Sequence, residues 1–293
     1  MRVSVVIVSK DEPSLAETLN AIGPPDGAAL FDEVIVVDAS CGRLDWARRA
    51  CPWVKWVDFA PPSPNAVTIA HQRNVGVATA TGDVVVFTDC GCLPEDGWLE
   101  HLLRPILSEG EVITSGPARA TGPSIYSGRY WSGNTLDKYV TNAPTINLAF
   151  RRELWEAVGG FDETFQAGED LDFTWRLSDA GYKIRWAPDA VVRHDWGALP
   201  RQLRRSLGYG RGWARLLRKH PDKILSVART NPGPLIYPLF LLGLPLTIKW
   251  KAYPMLLLVP LWRARHEERP LMVVADHLLL GAGFLLGLST HRR

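Results

Sequence analysis

Short apolar runs rich in β-branched residues recur at residues 3–8, 33–37, 54–59 and 84–88, with helix-like stretches between them. This alternation constrains the fold more than any other feature of the chain. The first run is nearly unbroken, so it reads as a central strand buried on both faces rather than a half-exposed one. Asp11 and Pro13 start the helix that follows, and residues 43–50 and 65–80 supply two more. Strand and helix in regular turn imply a parallel sheet covered by its helices, because each crossover must carry the chain back over the sheet. Ligands of such sheets bind outside the carboxyl ends of the strands. The first candidates for function are therefore the residues where the runs stop: Ser9 to Glu12, Asp38 to Ser40, and Asp89 to Cys92.

With 293 residues, 46% apolar and 22% charged, the chain suits one large or two modest globular units, not a disordered, collagenous or polytopic membrane protein. Its formal net charge of +2 conceals a division. Residues 1–200 hold 17 Lys and Arg against 27 Asp and Glu, whereas residues 201–293 hold 16 against 4. An acidic body is joined to a basic, apolar tail of the kind that an anionic membrane surface attracts. Nucleic acid is a poorer match, because the apolar segments beside the basic stretch suit lipid. No secretory leader is expected ahead of the first strand, and Cys41, Cys51, Cys90 and Cys92 lack zinc-type spacing. Small buried thiols in a reduced cytosolic setting are expected.

Asp38 and Asp89 each follow an apolar run directly. An aspartate in that position often only nucleates a turn. Here the two belong to a longer pattern: residues 3–12, 36–40, 73–76, 80–83 and 87–94 with Trp98 and Leu99, then 147–152, 159–162 and 168–170 with Arg176. In this order the segments resemble the nucleotide half and the acceptor half of family-2 glycosyltransferases, over about two-thirds of the chain. The resemblance implies an α/β fold, a GT-A-like, Rossmann-type mixed sheet flanked by helices. It also implies a hexosyltransferase-type enzyme of cell-envelope glycan assembly. The glycosyltransferase domain would occupy 1–198, divided into a nucleotide-sugar half (1–118) and an acceptor half (119–198).

On that resemblance, Asp38 accepts the N3–H of the base, which suits uracil or thymine and so a UDP- or dTDP-linked sugar. Arg73 and Asn74 face the base and diphosphate, and Ser9 and Glu12 complete the base pocket. Arg73 paired with neighbours on its own helix and Asn74 as a cap are the structural alternatives. A diphosphate leaving group calls for a divalent ion, Mg²⁺ or Mn²⁺, held by carboxylates and phosphate oxygens. Asp89 stands at the family's DxD position, but the triplet is Asp89-Cys90-Gly91, so the second carboxylate is missing. The Gly91 backbone then passes close to the donor. His194, at the end of an apolar strand over 190–192, is either a further metal ligand, with Asp195 behind it, or an ordinary strand-end histidine.

Catalysis needs a base on the acceptor hydroxyl, in line with attack on the anomeric carbon and with inversion of its configuration. The family motif assigns Asp170, in the first turn of a helix, where the dipole keeps it ionised but weakens it as a base unless burial compensates. Glu169 would orient the acceptor. The aromatic stretch 121–144, with Tyr126, Tyr130, Trp131, Asn134 and Tyr139, either cradles an acceptor sugar, Trp131 foremost, or pins a loop.

Residues 201–223 carry eight basic side chains and one acid, interleaved with leucines, and 199–230 reads as a basic interfacial helix region. Residues 231–293 read as apolar membrane-associated helices. The apolar segment 234–262 is interrupted by Pro238, Pro245, Pro254, Pro260 and the pair Lys249 and Lys251, so a shallow, re-entrant or monotopic hairpin is expected. The second segment, 271–288, contains Asp276 and His277 and either spans or lies flat. The whole reads as an inverting transferase on the cytoplasmic face of the cell membrane, acting on the hydroxyl of a glycolipid, a polyprenol-linked acceptor or another membrane-proximal group. Transfer to polyprenyl phosphate itself and a non-catalytic nucleotide-sugar-binding scaffold are the alternatives.

Overall fold

A computed structural model of the chain describes residues 1–26, 29–61, 69–125 and 137–289. Its central sheet has eight strands in the order β3-β2-β1-β4-β9-β6-β10-β8. They are β1 (Val3–Ser9), β2 (Glu33–Asp38), β3 (Lys55–Asp58), β4 (Val84–Thr88), β6 (Ile113–Ser115), β8 (Tyr139–Val140), β9 (Asn147–Arg151) and β10 (Ile184–Trp186). A second sheet of three strands has the order β5-β11-β7, from β5 (Cys92–Pro94), β7 (Ala118–Thr121) and β11 (Val192–Asp195).

The four runs that the alternation picked out are the strands β1 to β4, all parallel, with β1 between β2, paired along Ser4–Ser9, and β4, paired along Val3–Val6. Val5, Val6 and Ile7 are wholly buried, as an almost unbroken apolar run requires. From β4 onward the sheet is mixed, because β9 runs antiparallel to both β4 and β6. The intervening helices are α1 (Leu15–Ile22), α2 (Asp45–Ala50), α3 (Ile69–Thr79), α4 (Trp98–Ser108), α5 (Arg152–Ala157) and α6 (Glu169–Asp179). One core joins Val6, Ile35 and Phe87 of the sheet to Ala70 and Val77 of α3 and Phe173 and Leu177 of α6.

The first helix begins later than Asp11 and Pro13 suggest. Asp11 takes a left-handed φ of 57°, gives its N–H to the Ser40 hydroxyl at 2.7 Å and pairs its carboxylate with Arg43 at 2.5 Å. It is a turn residue, and the helix starts after Ser14.

Two compact units result: one made of most of residues 1–195, the other of the chain from Trp196 onward together with Phe165–Gly168 and a segment beginning at Ala120. In the second unit α7 (Leu199–Lys219), α8 (Ile224–Thr230), α9 (Gly233–Leu242), α10 (Leu258–Arg263) and α11 (Pro270–Ser289) are joined partly by short 3-10 turns. Helix α7 is not a bare interfacial helix. Ser206, Gly210, Ala214, Leu216 and Leu217 are buried, and its glycines admit a neighbour's backbone: a Cβ on Gly210 would lie 2.0 Å from the Leu280 carbonyl oxygen, and one on Gly283 of α11 would lie 2.2 Å from that of Leu207. Small residues let the two helices approach closely, as in membrane bundles. Asp276 is buried on this helix pair and accepts a hydrogen bond from the Ser206 hydroxyl.

Between α9 and α10 no helix exceeds one or two turns, as the prolines dictate. Large apolar side chains stand exposed there, among them Leu242, Leu246, Ile248, Trp250, Met255 and Trp262. Helix α11 is 20 residues long, about 30 Å at the usual helical rise, and apolar enough to cross a bilayer.

Candidate active site

Three successive residues of α3 organise the carboxyl edge of the sheet. Helical geometry turns each by about 100° from the last, so they point in three directions. Gln72, buried, donates from its amide nitrogen to the carbonyls of Ser9 and Val37, both at 2.9 Å, tying together the ends of β1 and β2. Arg73, 3% exposed, reaches two carboxylates: its Nη1 donates to the Glu169 carboxylate, and its Nη2 lies 3.7 Å from Asp89. Asn74 uses its whole amide inside the protein. It donates to the Phe161 carbonyl and to Glu163 and accepts from Trp155 Nε1 and the Phe161 N–H, all at 2.8–2.9 Å. That saturation leaves no amide group for the base or diphosphate that Asn74 was expected to face, and gives it the task of anchoring the turn ahead of Phe161.

At the ends of β1 and β2, Ser9 and Asp38 are both buried. Asp38 Oδ1 accepts the N–H and the hydroxyl of Ser40, at 3.1 and 2.5 Å, so the carboxylate shapes its own turn and is held in a fixed orientation. Glu12 is part-buried where the chain leaves the first turn, and its carbonyl accepts the N–H of Leu15.

Past β4 the chain makes a tight turn through Asp89, Cys90 and Gly91. Gly91 has a φ of +81° and gives its N–H to the Thr18 hydroxyl at 2.8 Å. A Cβ there would meet Ser14 Oγ at 3.1 Å and the His194 ring at 3.5 Å, so the residue that replaces the second carboxylate is one that the turn requires. His194 thus stands directly over the turn. It lies on β11 rather than beyond an apolar strand over 190–192, and alternation sends Val192 and His194 inward while Arg193 and Asp195 are exposed. Cys92, opposite His194 in the strand register, brings its sulfur to 3.6 Å from the imidazole Nδ1, where Asp195 was expected to stand.

Among the described residues no three His, Cys, Asp or Glu side chains form a metal cage. Asp89, about one-third exposed, and His194, whose ring lies beside Gly91 of the same turn, are the residues that could hold a divalent ion there. Its remaining positions would go to phosphate oxygens and water.

Opposite, α6 opens with Glu169 and Asp170. Glu169 is 4% exposed, and burial, opposed by Arg73, pushes its carboxyl up to about 7. It was expected to orient an acceptor, but its oxygens are withdrawn from solvent into the pair with Arg73. Asp170 is part-buried, accepts the N–H groups of Leu171, at 2.8 Å, and of Thr145, and has its carboxyl raised by burial against the pull of Arg73. Burial therefore offsets the acid-strengthening helix dipole, as a general base requires. Asp172 turns away, fully buried in a pair with Arg176 at 2.9 Å.

Asp89, Arg73, Glu169 and Asp170 are thus brought together, with His194 beside the Asp89 turn. Trp131 lies outside the described residues, while Tyr139 is in β8 and donates to Glu111 at 2.9 Å. Sequence reasoning missed Gln72 and Thr145, and it gave Cys92, one of the strand-end candidates, no part beside His194. Gln72 adjoins the Arg73-Asn74 pair and was within reach of the motif; the contacts of Thr145 and Cys92 leave no local signal, since strand register and loop packing alone bring them to their partners.

A family model described as glycosyl transferase family 2 matches residues 4–161, and one described as glycosyl transferase family group 2 matches residues 129–286. The pre-mycofactocin glycosyltransferase of Mycobacterium tuberculosis is 34% identical over 175 residues, 55% of this chain but 37% of that relative's length. The succinoglycan biosynthesis protein ExoA of Rhizobium meliloti is 27% identical over 328 aligned residues, spanning 99% of this chain and 96% of its own. Among solved structures, a mannosyltransferase of Pyrobaculum calidifontis in complex with GDP-Man and Mn²⁺ superposes with a TM-score of 0.67 at 20% identity, covering 99% of this chain and 88% of that one. The likeness is one of GT-A fold.

Proposed function

The chain belongs to glycosyl transferase family 2, and from this site we propose that it is an inverting enzyme that moves a sugar from a nucleoside diphosphate sugar to the hydroxyl of a lipid-linked or membrane-proximal acceptor. The observation that carries this reading is Asp170, a carboxylate that burial makes more basic, placed beside a guanidinium that reaches over to Asp89. Asp170 takes the proton of the acceptor hydroxyl as its oxygen bonds to the anomeric carbon. The bond from that carbon to the diphosphate oxygen breaks, the electron pair leaves with the diphosphate, and attack from the opposite side inverts the configuration. Arg73 offers the departing diphosphate a fixed positive charge in a site shielded from water. Mg²⁺ or Mn²⁺ on Asp89 and His194, shared with phosphate oxygens, would add positive charge to the same leaving group. Asp38, oriented by Ser40, suits the imide N–H of uracil or thymine.

The second unit would hold the enzyme at the cytoplasmic face of the membrane. The exposed apolar side chains between α9 and α10 and the length of α11 support this.

Asp170→Asn is the decisive variant. Transfer to a hydroxyl acceptor falls by about 10²–10⁴ while nucleotide-sugar binding, read by thermal shift, persists. Turnover that survives the change would remove the base from the mechanism and favour a phosphate acceptor, whose oxygen needs no deprotonation.

A further inference from the structure

We propose that Glu169 is a positioning residue for the donor side of the reaction: it anchors the Arg73 guanidinium so that Nη2 is presented to Asp89 and to the diphosphate leaving there. The proposal rests on the reading of these residues as a glycosyltransferase site, and it separates two adjacent carboxylates that sequence places in one acceptor motif.

Accessibility comes first. Glu169 and Arg73 are 4% and 3% exposed, so an acceptor hydroxyl does not reach the Glu169 carboxylate, whereas Asp170, one residue on, is only part-buried. The second ground is the geometry of the pair. A guanidinium and a carboxylate left to themselves pair fork to fork through two parallel bonds. Here a single Nη1 bond is made to Oε1, while Arg73 Nε and Glu169 Oε2 are both buried without a hydrogen-bond partner. The pair forgoes its second bond, and the guanidinium is turned so that Nη2 lies 3.7 Å from Asp89 Oδ1. Buried polar atoms left unpaired cost stability, and their presence here calls for a reason beyond folding.

The third ground is the wall behind. The Phe161 ring lies 5.9 Å from the guanidinium carbon, and the turn ahead of that ring is pinned by Asn74, the next residue of the same helix. Arg73 is thus held on one side by an aromatic face and at one end by Glu169, with one nitrogen aimed at Asp89. A cation fixed before the reaction does not have to reorganise as charge develops on the diphosphate, which is where such groups act most strongly. The start of α6 thereby serves both halves of the reaction: Asp170 meets the acceptor, and Glu169 orients the charge that receives the leaving group.

The test measures binding of UDP, dTDP, UMP and dTMP to the full-length chain by calorimetry with Mn²⁺ present. Glu169→Gln is expected to weaken the nucleoside diphosphate that wild type binds at least tenfold, with the matching monophosphate changed less than threefold. Glu169→Asp, which keeps the charge on a shorter arm, is expected to fall between the two, and it stands in if the Gln variant does not fold. An equal loss on diphosphate and monophosphate in both variants would mark a merely structural role and overturn the proposal, as would wild-type diphosphate affinity in either. If wild type turns over a nucleotide sugar while the Glu169 variants change only the acceptor KM, the proposal fails and the glycosyltransferase reading stands. If wild type binds neither diphosphate, both fail together.

Discussion

The sulfur of Cys92 lies 3.6 Å from Nδ1 of His194, across the strand pair that flanks the Asp89 turn. Burial pushes the Cys92 thiol up to about 12, so it stays protonated at neutral pH and acts as a hydrogen-bond partner rather than a thiolate ligand. For His194 to take a metal on Nε2, its Nδ1 must carry the proton and donate it to the Cys92 sulfur, which would then fix the ring. Cys92→Ala should weaken Mn²⁺ binding by about tenfold or more, the usual effect of losing the group behind a ligating histidine. Calorimetry of Mn²⁺ in the presence of nucleotide checks this, and unchanged affinity would mean that the Cys92 thiol does not orient a ligating ring.

Stability should depend on pH through Glu169. Its carboxyl is raised by burial from an ordinary 4.5 to about 7. A raised acid contributes stability fully present below its unfolded value, and that contribution is lost as pH rises through the folded one. Relative to Glu169→Gln, which cannot titrate, wild type should therefore lose stability between about pH 4.5 and 7, by an amount on the order of 1–3 kcal/mol. Urea unfolding of both proteins at about pH 5 and pH 8 reads the difference; a gap that widens in favour of wild type at high pH would contradict the assignment.

Gly91→Ala should destabilise the chain by roughly 1–2 kcal/mol. The backbone there has a φ of +81°, and the new Cβ meets Ser14 Oγ at 3.1 Å. Restoring the missing carboxylate with Gly91→Asp brings the same strain, and no gain in Mn²⁺ affinity is expected. A tighter Mn²⁺ complex in that variant, measured beside its thermal midpoint, would show that the turn tolerates a side chain after all.

In the second unit, Gly283→Leu should separate α7 from α11, since even a Cβ would lie 2.2 Å from the Leu207 carbonyl oxygen. The expected cost is about 2 kcal/mol or more, because backbone cannot yield as a flexible side chain does. Thermal unfolding of the detergent-solubilised chain would show it. A midpoint within about a degree of wild type would mean that the two helices do not pack this way.

Periodicity and motif order reached far into this protein. The apolar runs that became β1 to β4 are legible because a strand covered on both faces must be apolar along its whole length, and ligand chemistry then falls at the strand ends. Asp89 is a strand-end candidate on those terms, whereas Arg73 and Asp170 were named from the family resemblance. The roles of Asn74 and Glu169 were out of reach, because a motif specifies which residue stands at a position but not which partners saturate it. Asn74 is filled by Trp155, Phe161 and Glu163, and Glu169 by Arg73, from segments far away in the chain.

The amino-acid sequence by itself determined the α/β architecture, the family, the acidic body with its basic apolar tail, and the broken helices that the prolines impose. Each follows from local pattern, in which neighbours along the chain decide the outcome. Only the tertiary structure decided that α7 turns its small residues to α11, that Cys92 backs His194, and that one guanidinium is shared between Glu169 and Asp89. Those relations depend on strand register and on which side chains are shut away from water, and pairing of that kind is settled by packing in three dimensions.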